Sequence, residues 1–361
     1  MSGAMRIGVI AENPVESIVK RLGLVPTPLL EVGLSLMLAR TVMAAVKLEI
    51  FDLLADQPLT AGELSTRAGT HEPATAKLLY ALTASGYVRQ AGGERYELTP
   101  VSRRWLTHRE GGLAETMLLQ YLHWDWLSHS EEFVRTGKPI AIHDTMDTDA
   151  WRHYQHSMRE FAVMLGRESA RLMPVPPGAR DMLDIGGSHG HYSAELCRRH
   201  DGLRSVILDL PAAVEQARPI LAAEGMGDRV TYRPGNALTE DLGSEQYDLV
   251  LVSSLVHHFT DEQNRDLAVR IATALRPGGV YAIQDAFRTP TAEAAGQPAG
   301  LLDFFWALTS TSGTWTREQM TSWQRAAGLS PRRAVRFRTA PTPSGIQAAE
   351  KPRRDRPGGR I

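Results

Sequence analysis

Apolar residues recur at helical spacing from Leu30 onward. Leu34, Leu36, Met37, Leu38, Val42, Met43, Val46 and Leu48 give a broad apolar face. A helix this apolar is buried, either in its own domain or against another chain. Thr60 ahead of Ala61, Gly62 and Glu63 predicts a boxed helix start, and Gly69 closes that helix. A second helix is expected over 72–85, then two short strands, 87–90 and 95–99, around a glycine turn. Helix, helix, hairpin is a winged-helix layout. Ahead of it, Pro14, Pro26 and Pro28 interrupt a weakly patterned arm, expected to be ordered only where it packs on something.

Two helical stretches follow, with Tyr121 and Trp124 on the first and Tyr154, Met158 and Phe161 along one face of the second. The proline cluster at 174–178 reads as a boundary. Beyond it the period alternates. Strands are expected at 182–185, 206–208, 230–233, 247–253 and 280–284, with helices at 192–199, 212–224 and 261–275 between them. Helices at 301–308 and 316–327 and two antiparallel strands, 333–337 and 345–349, complete the pattern. The fold class expected is α/β: a Rossmann-like, doubly wound, seven-stranded sheet behind a mostly α winged-helix domain. The domains are an arm (1–29), the winged helix (30–111), a helical linker and substrate cover (112–178), the sheet domain (179–350) and a basic tail (351–361) expected to be disordered.

Composition narrows the function. A net charge of −1 over 361 residues gives no general attraction to nucleic acid or acidic membranes. The helix in the recognition position carries Lys77 as its only basic residue, too little for DNA reading. A lone cysteine, Cys197, excludes an internal disulfide and suits a reducing compartment. No run was read as a membrane span or a signal peptide, so a cytoplasmic protein without membrane or nucleic-acid partners is expected.

The candidate chemistry begins at Asp184-Ile185-Gly186-Gly187-Ser188-His189-Gly190, between a strand and a helix. Glycines there let a ligand approach bare backbone N–H groups. The dinucleotide pattern requires glycines at first, third and sixth positions, and Ser188 and His191 break it. Asp209, at the tip of the next strand, is placed to hold a ribose diol. The spacing Asp-x-Gly-x-x-x-Gly resembles the loop of class I S-adenosylmethionine (SAM) dependent methyltransferases. A second group stands at the same rim: His257 and His258 after the fourth strand and Asp285 at the end of the fifth. A histidine and a carboxylate on neighbouring strand ends suggest a base and the group that orients it.

The run Leu255-Val256-His257-His258-Phe259-Thr260-Asp261-Glu262 is similar to the histidine stretch of plant-type small-molecule O-methyltransferases and their bacterial natural-product relatives. The likeness spans about residues 30–350. It implies SAM as cofactor, S-adenosylhomocysteine (SAH) as product, a winged-helix dimerisation domain and a homodimer. It also implies roles. His257 stands where the base stands and Asp285 where a glutamate flanks it. Asp184, Gly186, Gly187, Ser188, Asp209, Leu210, Gly235, Asn236, Ala237, Ser253 and Ser254 fall in the cofactor-binding segments. Three positions depart: Asn236 replaces an aspartate beside the adenine, Ser253 replaces a lysine, and Thr314 replaces a second base-flanking glutamate. Tyr121, Trp124, Tyr154, Met158, Phe161, Phe304, Phe305 and Trp306, with His257, are the expected walls for a flat aromatic substrate. His258 is expected to point away or to pack under the adenine, and no metal is expected. A SAM-binding protein with other chemistry, hydroxylation or decarboxylation, and a DNA-binding regulator remain as alternatives.

Overall fold

The computed structural model describes residues 8–340 and 342–353, so most of the expected tail lies outside the described residues. The chain divides between Trp124 and Asp125 into two compact units. The proline cluster at 174–178 is therefore not the boundary; the linker's long helix belongs to the sheet unit.

In the first unit, α1 (Pro14–Arg21) is capped by the Asn13 side chain. A long helix, α2 (Thr27–Lys47), and a short one, α3 (Ile50–Asp56), follow. A two-residue strand, β1 (Leu59–Thr60), leads into α4 (Ala61–Ala68). The expected box is present, with Thr60 and Glu63 bonding each other's backbone N–H, and Gly69 ends the helix at φ 63°. Next come α5 (Glu72–Ala84), β2 (Val88–Gln90), β3 (Arg95–Leu98) and α6 (Pro100–Trp105). The hairpin gains β1 as a third strand on the far side of β3. Val42, Val46, Phe51, Leu54, Leu79 and Leu82 form the core. Only the C-terminal half of α2 joins it; Leu29, Val32, Leu34 and Met37 are exposed. By length and composition alone α2 is apolar enough to cross a membrane, where no membrane span was expected.

Helix α7 (Ala114–Leu127) carries the chain into the second unit. There α8 (Ser130–Thr136), α9 (Ile142–Thr145) and α10 (Thr148–Leu172) precede the sheet. Strand and helix then alternate: β4 (Asp181–Ile185), α11 (His191–Arg199), β5 (Arg204–Asp209), α12 (Pro211–Ala223), β6 (Val230–Pro234), β7 (Tyr247–Ser253), α13 (Asp261–Ala274) and β8 (Leu275–Ala286). The end is α14 (Ala292–Thr309), α15 (Arg317–Ala326), β9 (Ser330–Pro331), β10 (Val335–Arg336) and β11 (Ser344–Glu350). The main path of the sheet runs β10-β11-β8-β7-β4-β5-β6, with β9 pairing β11. Strands β4 to β8 pair in parallel, and β11 is antiparallel to β8.

Period-two alternation explains why both faces are covered. Leu183, Ile185, Val250, Val252, Tyr281 and Ile283 face one core, while Met182, Leu249, Leu251, Val280 and Ala282 face the other. Helix α10 is fastened to this unit by polar contacts. The Glu168 carboxylate accepts from the backbone N–H of Arg338 and Thr339, and the Ser169 hydroxyl bonds Gln284. The Lys351 backbone exchanges bonds with Gly278 and Gly279, so the tail expected from residue 351 is still paired at its first residue. The sheet reverses direction of growth at β4, with β5 on one side and β7 on the other. Ligands of such sheets bind outside that switch point, where the glycine loop emerges.

Candidate active site

The loop after β4 is tight because neighbours leave no room. A Cβ on Gly187 would lie 2.5 Å from the Asp184 carboxylate, and one on Gly186 would lie 2.8 Å from Leu255. Gly186, Ser188 and Gly190 have φ of 70°, 51° and 76°. Ser188 adopts this left-handed conformation although it is not glycine, a strain typical of ligand loops. It is held on three sides. Its amide donates to Asp209 Oδ2 at 2.8 Å, its carbonyl accepts from the Tyr232 hydroxyl at 2.8 Å, and its hydroxyl bonds Gln155.

Asp184 sits beneath this loop rather than in it. It is fully buried, accepts from the Ser193 hydroxyl at 2.6 Å through Oδ2, and leaves Oδ1 without a partner. Burial pushes its carboxyl up to about 7; the Ser193 bond opposes this, and Asp209 adds to it. Asp184 is not among the residues that line the cavity over the loop, and neither are His257 and Asp285. Asp184 supports the loop from below through Ser193.

A cavity of about 250 Å³ opens over the loop, lined by Gly186, Gly187, Ser188, Asp209, Leu210, Gly235, Asn236, Ala237, Ser253 and Ser254. Asp209 accepts the amides of Ser188 and Leu210, each at 2.8 Å, and burial pushes its carboxyl up to about 6. Both oxygens keep a lone pair for a diol. The Asn236 side-chain oxygen, expected to meet an adenine amino group, already accepts from the Leu238 amide at 2.9 Å. Ser253 accepts from Gln284 Nε2 at 3.0 Å.

The opposite wall is aromatic. Tyr154, Met158 and Phe161 line it, together with Trp151 and Gln155 from the same helix. Trp151 lies three positions before Tyr154 and Gln155 three before Met158, so helical spacing could have found them. Tyr121 and Trp124 belong to the first unit, where Arg40 lies over both rings at 4.7 and 5.1 Å. Phe304 packs edge-on to Phe133 and Phe305 tilts against Trp126, neither lining the cavity.

The histidine stretch forms a 3-10 turn, Val256–His258. Asn264 Nδ2 and Trp315 Nε1 both donate to the Val256 carbonyl, at 3.0 and 2.9 Å, and pin the turn. His257 Nδ1 faces both oxygens of Asp285, at 3.1 and 3.0 Å, and both side chains are buried. The Trp306 ring lies flat on His257, with centroids 4.0 Å apart and planes 6° apart. Thr314 is committed to Asp303, which accepts its amide at 2.8 Å and its hydroxyl, and which pairs with Arg288 at 3.1 Å. Of the two placements expected for His258, pointing away is not what is found: it lines the cavity, on the same wall set as Gly235, Asn236 and Ala237, together with His143. No pattern in the sequence marked His143, which lies on a four-residue helix.

A glycine cradle too tight for a side chain, a ribose-type acid at the next strand tip and a buried histidine–carboxylate pair on one parallel sheet define a class I SAM-dependent methyltransferase. The chain belongs to the O-methyltransferase family: the model for its O-methyltransferase domain matches residues 127–328, and that for the O-methyltransferase dimerisation domain matches residues 30–108. It is 29% identical to the 3-hydroxy-5-methyl-1-naphthoate 3-O-methyltransferase of Streptomyces sahachiroi, over 90% of this chain and 95% of that enzyme. It is 28% identical to the tetracenomycin polyketide synthesis 8-O-methyl transferase of Streptomyces glaucescens, over 91% and 97%. Human N-acetylserotonin methyltransferase in complex with SAM shares the fold, with a TM-score of 0.80 at 17% identity over 95% of this chain and 99% of that one.

Proposed function

We propose that this SAM-dependent O-methyltransferase methylates a hydroxyl of an aromatic small molecule, that His257 is its general base, and that it works as a homodimer. The observation that carries the base assignment is the contact of His257 Nδ1 with both oxygens of the buried Asp285 carboxylate. The glycine cradle and Asp209 would hold SAM, which supplies an electrophilic methyl on a positive sulfur. Apolar walls at Tyr154, Met158 and Phe161 suit a flat acceptor. The relatives named above, one for a hydroxynaphthoate and one for tetracenomycin polyketide synthesis, point the same way.

A phenol, with a pKa of about 10, is mostly protonated at neutral pH, and needs a proton acceptor as the oxygen attacks. Asp285 fixes the His257 tautomer with the proton on Nδ1, so Nε2 is the nitrogen free to accept. Once it does, the Asp285 carboxylate accepts from Nδ1–H and the Trp306 face lies against the ring. His257→Ala should lower methyl transfer to a phenol by about 10²–10⁴-fold. SAH binding, read by calorimetry, should persist and shows the variant is folded. Unchanged turnover would refute the base.

A further inference from the structure

His258 is not spent on the base. Its Nδ1 is 2.6 Å from the Ser310 hydroxyl, which fixes the ring and leaves Nε2 for a ligand. It lines the cavity, as does His143, whose ring meets it edge-on at 4.7 Å. His143 is itself wedged between Trp151 and Tyr154, at 5.6 and 5.7 Å. Among the described residues neither nitrogen of His143 has a hydrogen-bond partner. Burial, and the neighbouring imidazoles, hold both rings neutral: His143 falls to about 4 and His258 well below the ordinary histidine range. A ring that resists protonation is a poor base but a good neutral hydrogen-bonding group.

We infer that His258 and His143 hold a second oxygen of the aromatic acceptor, next to the hydroxyl that is methylated. The inference rests on the aromatic-acceptor reading above. His257 and His258 are consecutive, with ring centroids 4.3 Å apart, too close to address oxygens on opposite sides of a ring system. They can address neighbouring ones. The substrate class is therefore a vicinally oxygenated aromatic, a catechol or an ortho-hydroxy carbonyl. Whichever tautomer Ser310 selects, Nε2 is a donor for a carbonyl or phenolate oxygen, or an acceptor for a hydroxyl. A site built for a second oxygen is left with unpaired polar atoms by an analogue that lacks it, and so discriminates.

The test compares 2-naphthol with 2,3-dihydroxynaphthalene, which differ by one adjacent hydroxyl. Binding of each to the SAH-loaded enzyme is measured by calorimetry, and methyl transfer to each is measured with SAM. The wild type should bind the diol about tenfold more tightly. In His258→Phe and His143→Phe the ratio should fall toward one, with SAH affinity reporting that each variant is folded. Where His258→Phe fails that check, His258→Asn, which keeps an amide at the wall, should retain part of the ratio. A wild-type ratio near one, or a ratio unchanged in both phenylalanine variants, overturns the inference. Methyl transfer to both naphthols without preference does so while leaving the aromatic-acceptor reading standing. A binding preference without methyl transfer overturns the role of His257 and supports the histidine pair.

Discussion

Asp184 is the residue whose environment is least suited to its ordinary charge. Unfolded, its carboxyl titrates near 3.9. Folded, burial with one oxygen unpartnered raises it to about 7. The native state thus binds the proton more tightly than the unfolded chain. The stability this contributes is intact below about pH 4 and is lost as pH rises through about 7. Asp184→Asn has no charge to bury. Between about pH 4 and pH 8 the stability difference should move in the variant's favour by about 4 kcal/mol. Chemical denaturation across that range reads it, and parallel curves for the two proteins would refute it. Comparison by slope matters, because the new amide brings its own unpaired donor at every pH. The sequence marked Asp184 by its place before the glycines. It carried no sign that the side chain would turn under the loop, because the Ser193 hydroxyl that takes it lies on the next helix.

At the level of elements, the loop between β4 and α11 works because it has no Cβ where Asp184 and Ile207 come closest. Gly187→Ala would place a methyl 2.5 Å from the Asp184 carboxylate and 2.9 Å from Ile207. Neither neighbour is a free chain end, since Asp184 and Ile207 lie on paired strands, so the loop backbone must move. Overpacking of this kind costs about 1–3 kcal/mol. SAH affinity should fall by about tenfold or more as the cradle shifts, while thermal unfolding shows a folded protein; unaltered affinity would rule out the cradle. Elements set by local rules were legible in the sequence. The Thr60–Glu63 box, the Gly69 stop and the apolar strands β4, β5 and β7 stand where spacing put them. Elements set by tertiary contact were not. Helix α14 begins at Ala292, ahead of its predicted start, because it runs past a break at Gly296 (φ 72°, ψ 169°) that reads as loop in an Ala, Gly and Pro context. The direction of His258 was hidden for the same kind of reason. A 3-10 turn, fixed by Asn264 on the following helix and by Trp315 from a distant segment, decides which histidine meets Asp285 and which meets the cavity.

For the whole molecule, the unexplained surface is the N-terminal half of α2 with the helix before it. Val15, Ile18, Leu22, Leu24, Leu29, Val32, Leu34 and Met37 are each more than half exposed. An apolar surface this continuous marks an interaction site. Two occupants fit an apolar helix of this length: a bilayer, or a second copy of the chain. Glu31 and Arg40 fall within the helix, and a charge near the centre of a bilayer is costly. The match to a dimerisation domain begins at residue 30 and takes in most of the helix. Both favour the second copy. A stable interface needs about 800 Å² from each partner. Val32→Glu with Met37→Glu sets four like charges into a symmetric contact, two from each copy, and should convert the dimer to a monomer by sedimentation velocity at micromolar concentration. The buried half of α2, at Val42, Met43, Ala45 and Val46, is untouched, so each copy should stay folded. A wild type that sediments as a monomer, or that partitions onto phospholipid vesicles in preference to pairing, would overturn the dimer.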